Sequence, residues 1–167
     1  KEAAAAAAAA PRMPSGAGGG PFSAEWLGKV APAYDPHMGV ENMGPMLYAL
    51  TRFVKPKRVL EVGAGYTSLF ILQALKDNDE EVSNFVALEK NGGCEVEGWP
   101  YCDYDYLDHK SGPGILDCID NMAHEYTTAD KVRGIAAELG LEPYLRFQVE
   151  DAFTFHAKLG GNGEEGE

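Results

Sequence analysis

The stretch Arg58-Val-Leu-Glu-Val-Gly-Ala-Gly-Tyr-Thr-Ser-Leu-Phe70 decides the fold. Arg58 to Val62 reads as a short buried strand, Gly63 and Gly65 as a tight turn, and Thr67 onward as a helix. Such a turn lets a ligand approach the backbone closely, with a helix N-terminus directed at it. A dinucleotide-binding turn wants a third glycine, in the pattern G-x-G-x-x-G, followed by an acidic residue about 20 positions on. Here Ser68 stands in the third position and no regular acidic residue follows. Glu61, two positions before Gly63, is the distinguishing residue. A carboxylate there repels a pyrophosphate and suits a ligand carrying an ammonium and a sulfonium.

The rest of the chain bounds the choice further. Its 167 residues are 45% hydrophobic and 24% charged, enough for one globular domain with a sizeable core. Fourteen basic against 26 acidic residues give a net charge of −12, which disfavours a nucleic-acid backbone or an anionic membrane as partner. The three cysteines, Cys94, Cys102 and Cys118, are odd in number and lack C-x-x-C spacing. That argues for reduced thiols rather than a disulfide framework or a metal site. No apolar run reaches the roughly 18 residues of a membrane helix. A soluble protein in a reducing compartment, cytoplasm or organelle interior, is expected. Residues 1–20, with eight consecutive alanines and a Pro/Gly-rich stretch, are low in complexity, and residues 159–167 form a Gly/Glu-rich tail. The expected domain is 21–158.

Within it, a short helix is expected around Ala24 to Val30. Gly44-Pro45 opens a clearer one, with Met46, Leu47, Leu50, Phe53 and Val54 on one face at helical spacing. Lys55-Pro56 closes it ahead of the first strand. The helix after the glycine turn is expected over Thr67 to Lys76, apolar almost all round. The second strand then has two candidates. Asn84 to Glu89 would put Glu89 at a strand tip 28 residues after Glu61. The same residues also fit an acidic amphipathic helix over Asp79 to Lys90, which leaves Gly114 to Ile119, ending at Asp120, as the strand. The later strand is preferred because the residues after Asp120 read as the helix and strand that should come next. Thr127-x-x-Asp130 resembles a capping box, Val132, Ile135, Ala136 and Leu139 share a helical face, and Gly140 is placed to cap the C-terminus. Tyr144 to Val149 then reads as the third strand, and residues 91–113 as an aromatic-rich insertion holding Trp99, Tyr101, Tyr104 and Tyr106. Alternation of strands and helices implies an α/β, Rossmann-like parallel sheet of about three strands with flanking helices. Glu61, Asp120 and Asp151 all fall at carboxyl ends of strands, where such sheets bind ligands.

From Val40 to Phe153 the chain resembles the N-terminal, cofactor-binding half of class I S-adenosylmethionine-dependent methyltransferases, through the acidic-x-Gly-x-Gly motif at Glu61, Gly63 and Gly65. The resemblance implies S-adenosyl-L-methionine as cofactor. Glu61, Gly63 and Gly65 would line its methionine half, and Asp120 would accept hydrogen bonds from the ribose hydroxyls. Met122 would pack on the adenine, and Asp151 would lie near the adenine amine. It further implies methyl transfer to a small-molecule acceptor. No catalytic base stands out among His37, His109, His124 and His156. The family core has seven strands and about three are legible here, so the resemblance also implies either a missing C-terminal half or another chain covering the sheet edge beside Phe147 and Val149. The alternative role is a non-catalytic structural subunit of a larger assembly.

Overall fold

Ser23 opens the first helix by accepting a hydrogen bond on its hydroxyl from the Trp26 amide at 3.1 Å. The computed structural model describes residues 20–90 and 112–160, so most of the expected 91–113 insertion and its aromatic cluster lie outside the described residues. Helix α1 spans Ala24–Val30 and α2 spans Gly44–Val54. Strand β1 is Arg58–Val62, α3 is Tyr66–Lys90 and β2 is Ile115–Asp120. Helix α4 is Ala129–Glu138, β3 is Leu145–Val149 and α5 is Ala152–Gly160. Short 3-10 turns cover Ala31–Ala33, Glu41–Met43 and Glu142–Tyr144. The strands form one parallel sheet in the order β1-β2-β3. Arg58 is opposite Ile115, and Leu116 opposite Leu145. The fold is α/β and Rossmann-like, and it lacks the further strands of a complete sheet of that kind among the described residues.

Register and burial define the two faces. Val59, Leu116, Cys118, Leu145 and Phe147 share the face that joins Leu69, Phe70, Leu72 and Leu75 of α3 and Val132, Ile135 and Ala136 of α4 in one core. On the opposite face Leu60 and Val62 are 54% and 65% exposed. Arg58 reaches Asp117 across that face at 2.7 Å. The outer edges of β1 and β3 pair with no other strand among the described residues.

Three expectations need correction. The helix after the glycine turn does not stop at Lys76: α3 runs 25 residues to Lys90, and Glu89 lies in that helix rather than at a strand tip. Because α3 continues, it meets α2 through a polar seam instead of the expected apolar face. Tyr48 donates to Asp77 at 2.6 Å, the Asn78 amide donates to the Thr51 carbonyl at 3.1 Å, and Arg52 and Lys55 both reach Glu81, at 2.8 and 2.6 Å. Arg52 also bonds Asn78. The apolar side of α2 consequently points outward: Met46, Leu50, Phe53 and Val54 are exposed, Phe53 at 82%. Leu47 alone of that expected face packs against the core. Thirdly, Thr127 and Asp130 form no capping box. Thr128 occupies the N-cap position of α4, and its hydroxyl donates to the Ala33 carbonyl at 3.0 Å, so a tertiary bond has displaced the local one.

The C-terminus of α4 agrees with the sequence expectation. Gly140 has φ +65°, its amide donates to Ala137 and the Leu141 amide donates to Ala136. This pair of bonds is a Schellman closure, in which the left-handed residue carries no side chain. Gly140→Ala is expected to destabilise the protein by about 1 kcal/mol, because a Cβ strains the left-handed backbone. Urea denaturation should show a lower midpoint with an unchanged slope; an unchanged midpoint would contradict this reading of the cap.

Candidate functional site

The carboxyl ends of β1 and β2 bring the glycine turn against an acidic strand tip. Gly63, with φ +86°, leaves β1 in a conformation that side chains rarely adopt, and its amide donates to the Ile119 carbonyl at 2.8 Å. The next amide, Ala64, donates to Asp120 Oδ2 at 2.8 Å. The other oxygen of the same carboxylate accepts from the Met122 amide at 2.6 Å. Asp120 thus ties the turn after β1 to the turn after β2. Gly65 is confined for a different reason, since a Cβ there would lie 3.3 Å from Thr128 Oγ1, a tight contact. Backbone conformation thus favours glycine at Gly63, while at Gly65 the constraint is a tight approach to a single hydroxyl.

Met122 has φ +56°, a left-handed conformation that is uncommon for a residue of this kind. It is held by two successive side-chain bonds to the backbone, Asp120 to the Met122 amide and Asn121 Oδ1 from the Ala123 amide at 3.0 Å. Its side chain packs partly on the core. Such locally strained positions concentrate at ligand clamps.

Glu61 turns toward the core-facing side of the sheet. Its carboxylate accepts from Thr67 Oγ1 at 3.1 Å and from the Cys118 thiol at 3.3 Å. Burial pushes its pKa up, and the neighbouring Asp120 charge adds to the shift, while hydrogen bonds from Ser68, Cys118 and Thr67 oppose it. Burial, reinforced by Glu61, also raises the Cys118 thiol. The donors to Glu61 among the described residues are all neutral, so none brings a positive charge against the burial that disfavours its charged form. Asp151 stands apart from this group. It caps α5, accepting from the Phe153 amide at 2.9 Å, and is reached from the Asp120 side only by Asn121 Nδ2 at 3.5 Å.

The structure adds residues that motif reading passed over. Residues 31–43 lie beside the start of α3 and α4, with Ala33 fixed by the Thr128 bond. This segment brings the Tyr34 ring edge-to-face on Tyr66, with centroids 5.3 Å apart, and stacks His37 on Tyr126 at 4.6 Å. Glu41 is buried in the same segment. Only the position of Tyr66, directly after Gly65, could have flagged one of them. The aromatic cluster of the insertion, Trp99 to Tyr106, lies outside the described residues.

No protein-family model, curated protein or solved structure matches this chain. What the fold and the site define is a class: a Rossmann-like parallel α/β unit with a glycine turn and an acidic tip at adjacent strand ends. No helix among the described residues is long and apolar enough to cross a membrane.

Because burial raises Glu61, its contribution to stability is fully present below the ordinary value of 4.5 and is lost as pH rises through the higher folded value. Glu61→Gln removes that loss. The melting temperature of the variant minus that of the parent is expected to be near zero at the acid end and to grow as pH rises above 4.5. A difference that stays flat from acid to neutral pH would show that Glu61 ionises freely in the folded protein.

Proposed function

We propose that this chain binds S-adenosylmethionine at the tips of β1 and β2 and belongs to a methyl-transferring system acting on a small-molecule acceptor. The observation that carries the reading is the Asp120 carboxylate, held by the Ala64 and Met122 amides where the two turns meet. A carboxylate oxygen has two lone pairs, so each retains an acceptor site for a ribose hydroxyl. Glu61 is compatible with the reading, since a half-buried carboxylate at the strand end would suit a sulfonium or ammonium and repel a pyrophosphate. The bound cofactor would supply an electrophilic methyl group. The chain's own task would be to orient that group and exclude water, the usual source of rate in an in-line displacement. Gly63 and Gly65 would give the backbone approach, Met122 an apolar surface for the base, and Asp151 a hydrogen-bond acceptor at the far rim.

Calorimetric titration of the full chain with S-adenosylmethionine, its demethylated product and NAD tests the choice of cofactor. Binding of the first two and not of NAD is expected. Asp120→Ala should weaken it by about 1–3 kcal/mol through lost charge-assisted contacts. Absence of binding by both sulfur compounds, or full affinity in the variant, overturns the reading.

A second reading has its own observation. Exposed Leu60 and Val62 beside an unpaired β1 edge, with Met46, Leu50 and Phe53 outward on α2, form surfaces of the kind that partner chains or further strands cover. It makes this chain a structural subunit of a larger assembly. The β3 edge expected to be bare is likewise unpaired among the described residues, with Val149 and Phe153 exposed beside it. Light scattering after size exclusion should return a mass above that of the monomer, and Phe53→Glu combined with Leu60→Lys should bring it down. A monomer before and after substitution would remove this reading.

A further inference from the structure

We propose that Thr128 is a positioning residue for the glycine turn, its hydroxyl anchored on Ala33 and seated against the notch that Gly65 leaves. Its purpose rests on the cofactor reading; its geometry does not. Thr128 is 5% exposed and occupies the N-cap position of α4, where a threonine hydroxyl ordinarily accepts a hydrogen bond from an amide of the first turn. It makes no such bond, and Thr127 Oγ1 takes the Ala129 amide at 3.3 Å. The Thr128 hydroxyl donates instead to the Ala33 carbonyl at 3.0 Å.

Two neighbours define that hydroxyl. On one side the 3-10 turn Ala31–Ala33 continues directly from α1, and a helix end leaves carbonyls in need of donors. On the other side stands Gly65, where a Cβ would come within 3.3 Å of Thr128 Oγ1. A hydroxyl has a single proton, so the bond to Ala33 fixes where the oxygen that abuts Gly65 lies. One residue further along each segment, Tyr34 meets Tyr66 edge to face at 5.3 Å. Asp120 meanwhile holds the preceding amide of the turn, Ala64, at 2.8 Å. Asp120 and Thr128, at the two ends of the connection from β2 to α4, therefore bear on consecutive residues of the turn after β1. The first acts by a hydrogen bond and the second by packing.

The Gly65 amide and carbonyl are both engaged by Ser68, at 3.0 and 3.1 Å, so they make the local closure of the turn. Contact with Thr128 sets how Gly65 stands relative to α4. Without the bond to Ala33 the Thr128 side chain is free to rotate, and Gly65 loses its stop on that side. A ligand read directly by backbone feels such a shift, because no side chain intervenes to absorb it. The plainer role for Thr128 is to satisfy the Ala33 carbonyl and nothing more. That role lowers the stability of the whole chain and leaves the turn and its ligand unaffected.

Thr128→Ala and Thr128→Ser differ from each other by the hydroxyl alone. Both are compared with the parent as full chains, by calorimetric titration with S-adenosylmethionine and by amide hydrogen exchange followed by NMR. Thr128→Ala is expected to weaken binding by about tenfold, and to speed exchange at Ala64 and Gly65 by about tenfold relative to Leu72 in the buried part of α3. Thr128→Ser is expected to keep the parent's values in both measurements. Exchange that rises equally at Gly65 and Leu72 belongs to the plainer role and overturns the proposal. Unweakened binding in Thr128→Ala, or a Thr128→Ser as weak as Thr128→Ala, overturns it too. Should Thr128→Ala fail to fold, Thr128→Val, which has a similar shape without the donor, carries the same comparison. A parent chain that binds no S-adenosylmethionine removes the cofactor reading, and exchange then decides the role of Thr128 by itself. Faster exchange confined to Ala64 and Gly65 in Thr128→Ala upholds it, and unchanged exchange there overturns it.

Discussion

Helix α3 is the member against which the other elements are positioned. Its first half is apolar on nearly every side, with Leu69, Phe70, Ile71, Leu72, Ala74 and Leu75 all buried. A helix of that composition cannot sit on a surface; it needs the sheet below it and helices around it. Val59, Leu116 and Cys118 supply the sheet, Trp26 of α1 and Val132 of α4 supply flanks, and the parallel β1-to-β2 crossover results. Its second half turns polar, and there the partners are chosen by hydrogen bonding. Asp77 takes Tyr48 and Gln73, Asp79 takes Tyr144 at 3.0 Å, and Lys76 reaches the Leu139 carbonyl at 3.3 Å. One helix thereby fixes α2, α4 and the entry to β3.

That division explains why α2 presents its polar side inward. Buried polar groups are tolerated where each finds a partner, and no buried side-chain nitrogen or oxygen among the described residues lacks one. Burial together with a hydrogen bond to Asp77 or Asp79 also holds the Tyr48 and Tyr144 phenols well above their ordinary range, so both stay neutral donors at any physiological pH. Ion pairs at Glu81 are partly exposed and contribute little individually. Their role is orientation. The seam sets which side of α2 faces solvent, and with it the apolar surface left outward.

At the strand tips, electrostatics and backbone geometry act together. Asp120 uses both oxygens on amides of two different turns, which fixes the turn after β1 against the turn after β2. Glu61 is kept in a setting that disfavours its charge, through burial first and the nearby Asp120 charge as well. Two carboxylates a strand apart therefore sit differently: Asp120 joins two turns through their amides, and Glu61 faces the core side among hydroxyl and thiol donors.

Much of this was legible in the residues. The strand–glycine-turn–helix at Arg58 to Phe70, the α1 and α2 spans, the later choice of β2 and the Gly140 cap all come from local chemistry, because periodicity, proline and glycine act on the nearest few residues. The parallel sheet comes from alternation. What local chemistry could not settle was partner choice. The apolar stripe of α2 has the spacing of a buried face, yet α3, longer than its apolar half suggested, offered Asp77, Asn78 and Glu81 and took the other side. Thr127 and Asp130 have the spacing of a capping box, yet the adjacent Thr128 found Ala33, 95 residues earlier. Tyr34 and Tyr66 carry no common motif, since their rings meet only through the tertiary packing of the segment before α2 on the start of α3. Sequence by itself determined the elements and their alternation, because those depend on short-range backbone preferences. Only the tertiary structure decided which faces meet and which side chains share a site, because such pairings join residues distant in the chain through burial and hydrogen-bond satisfaction.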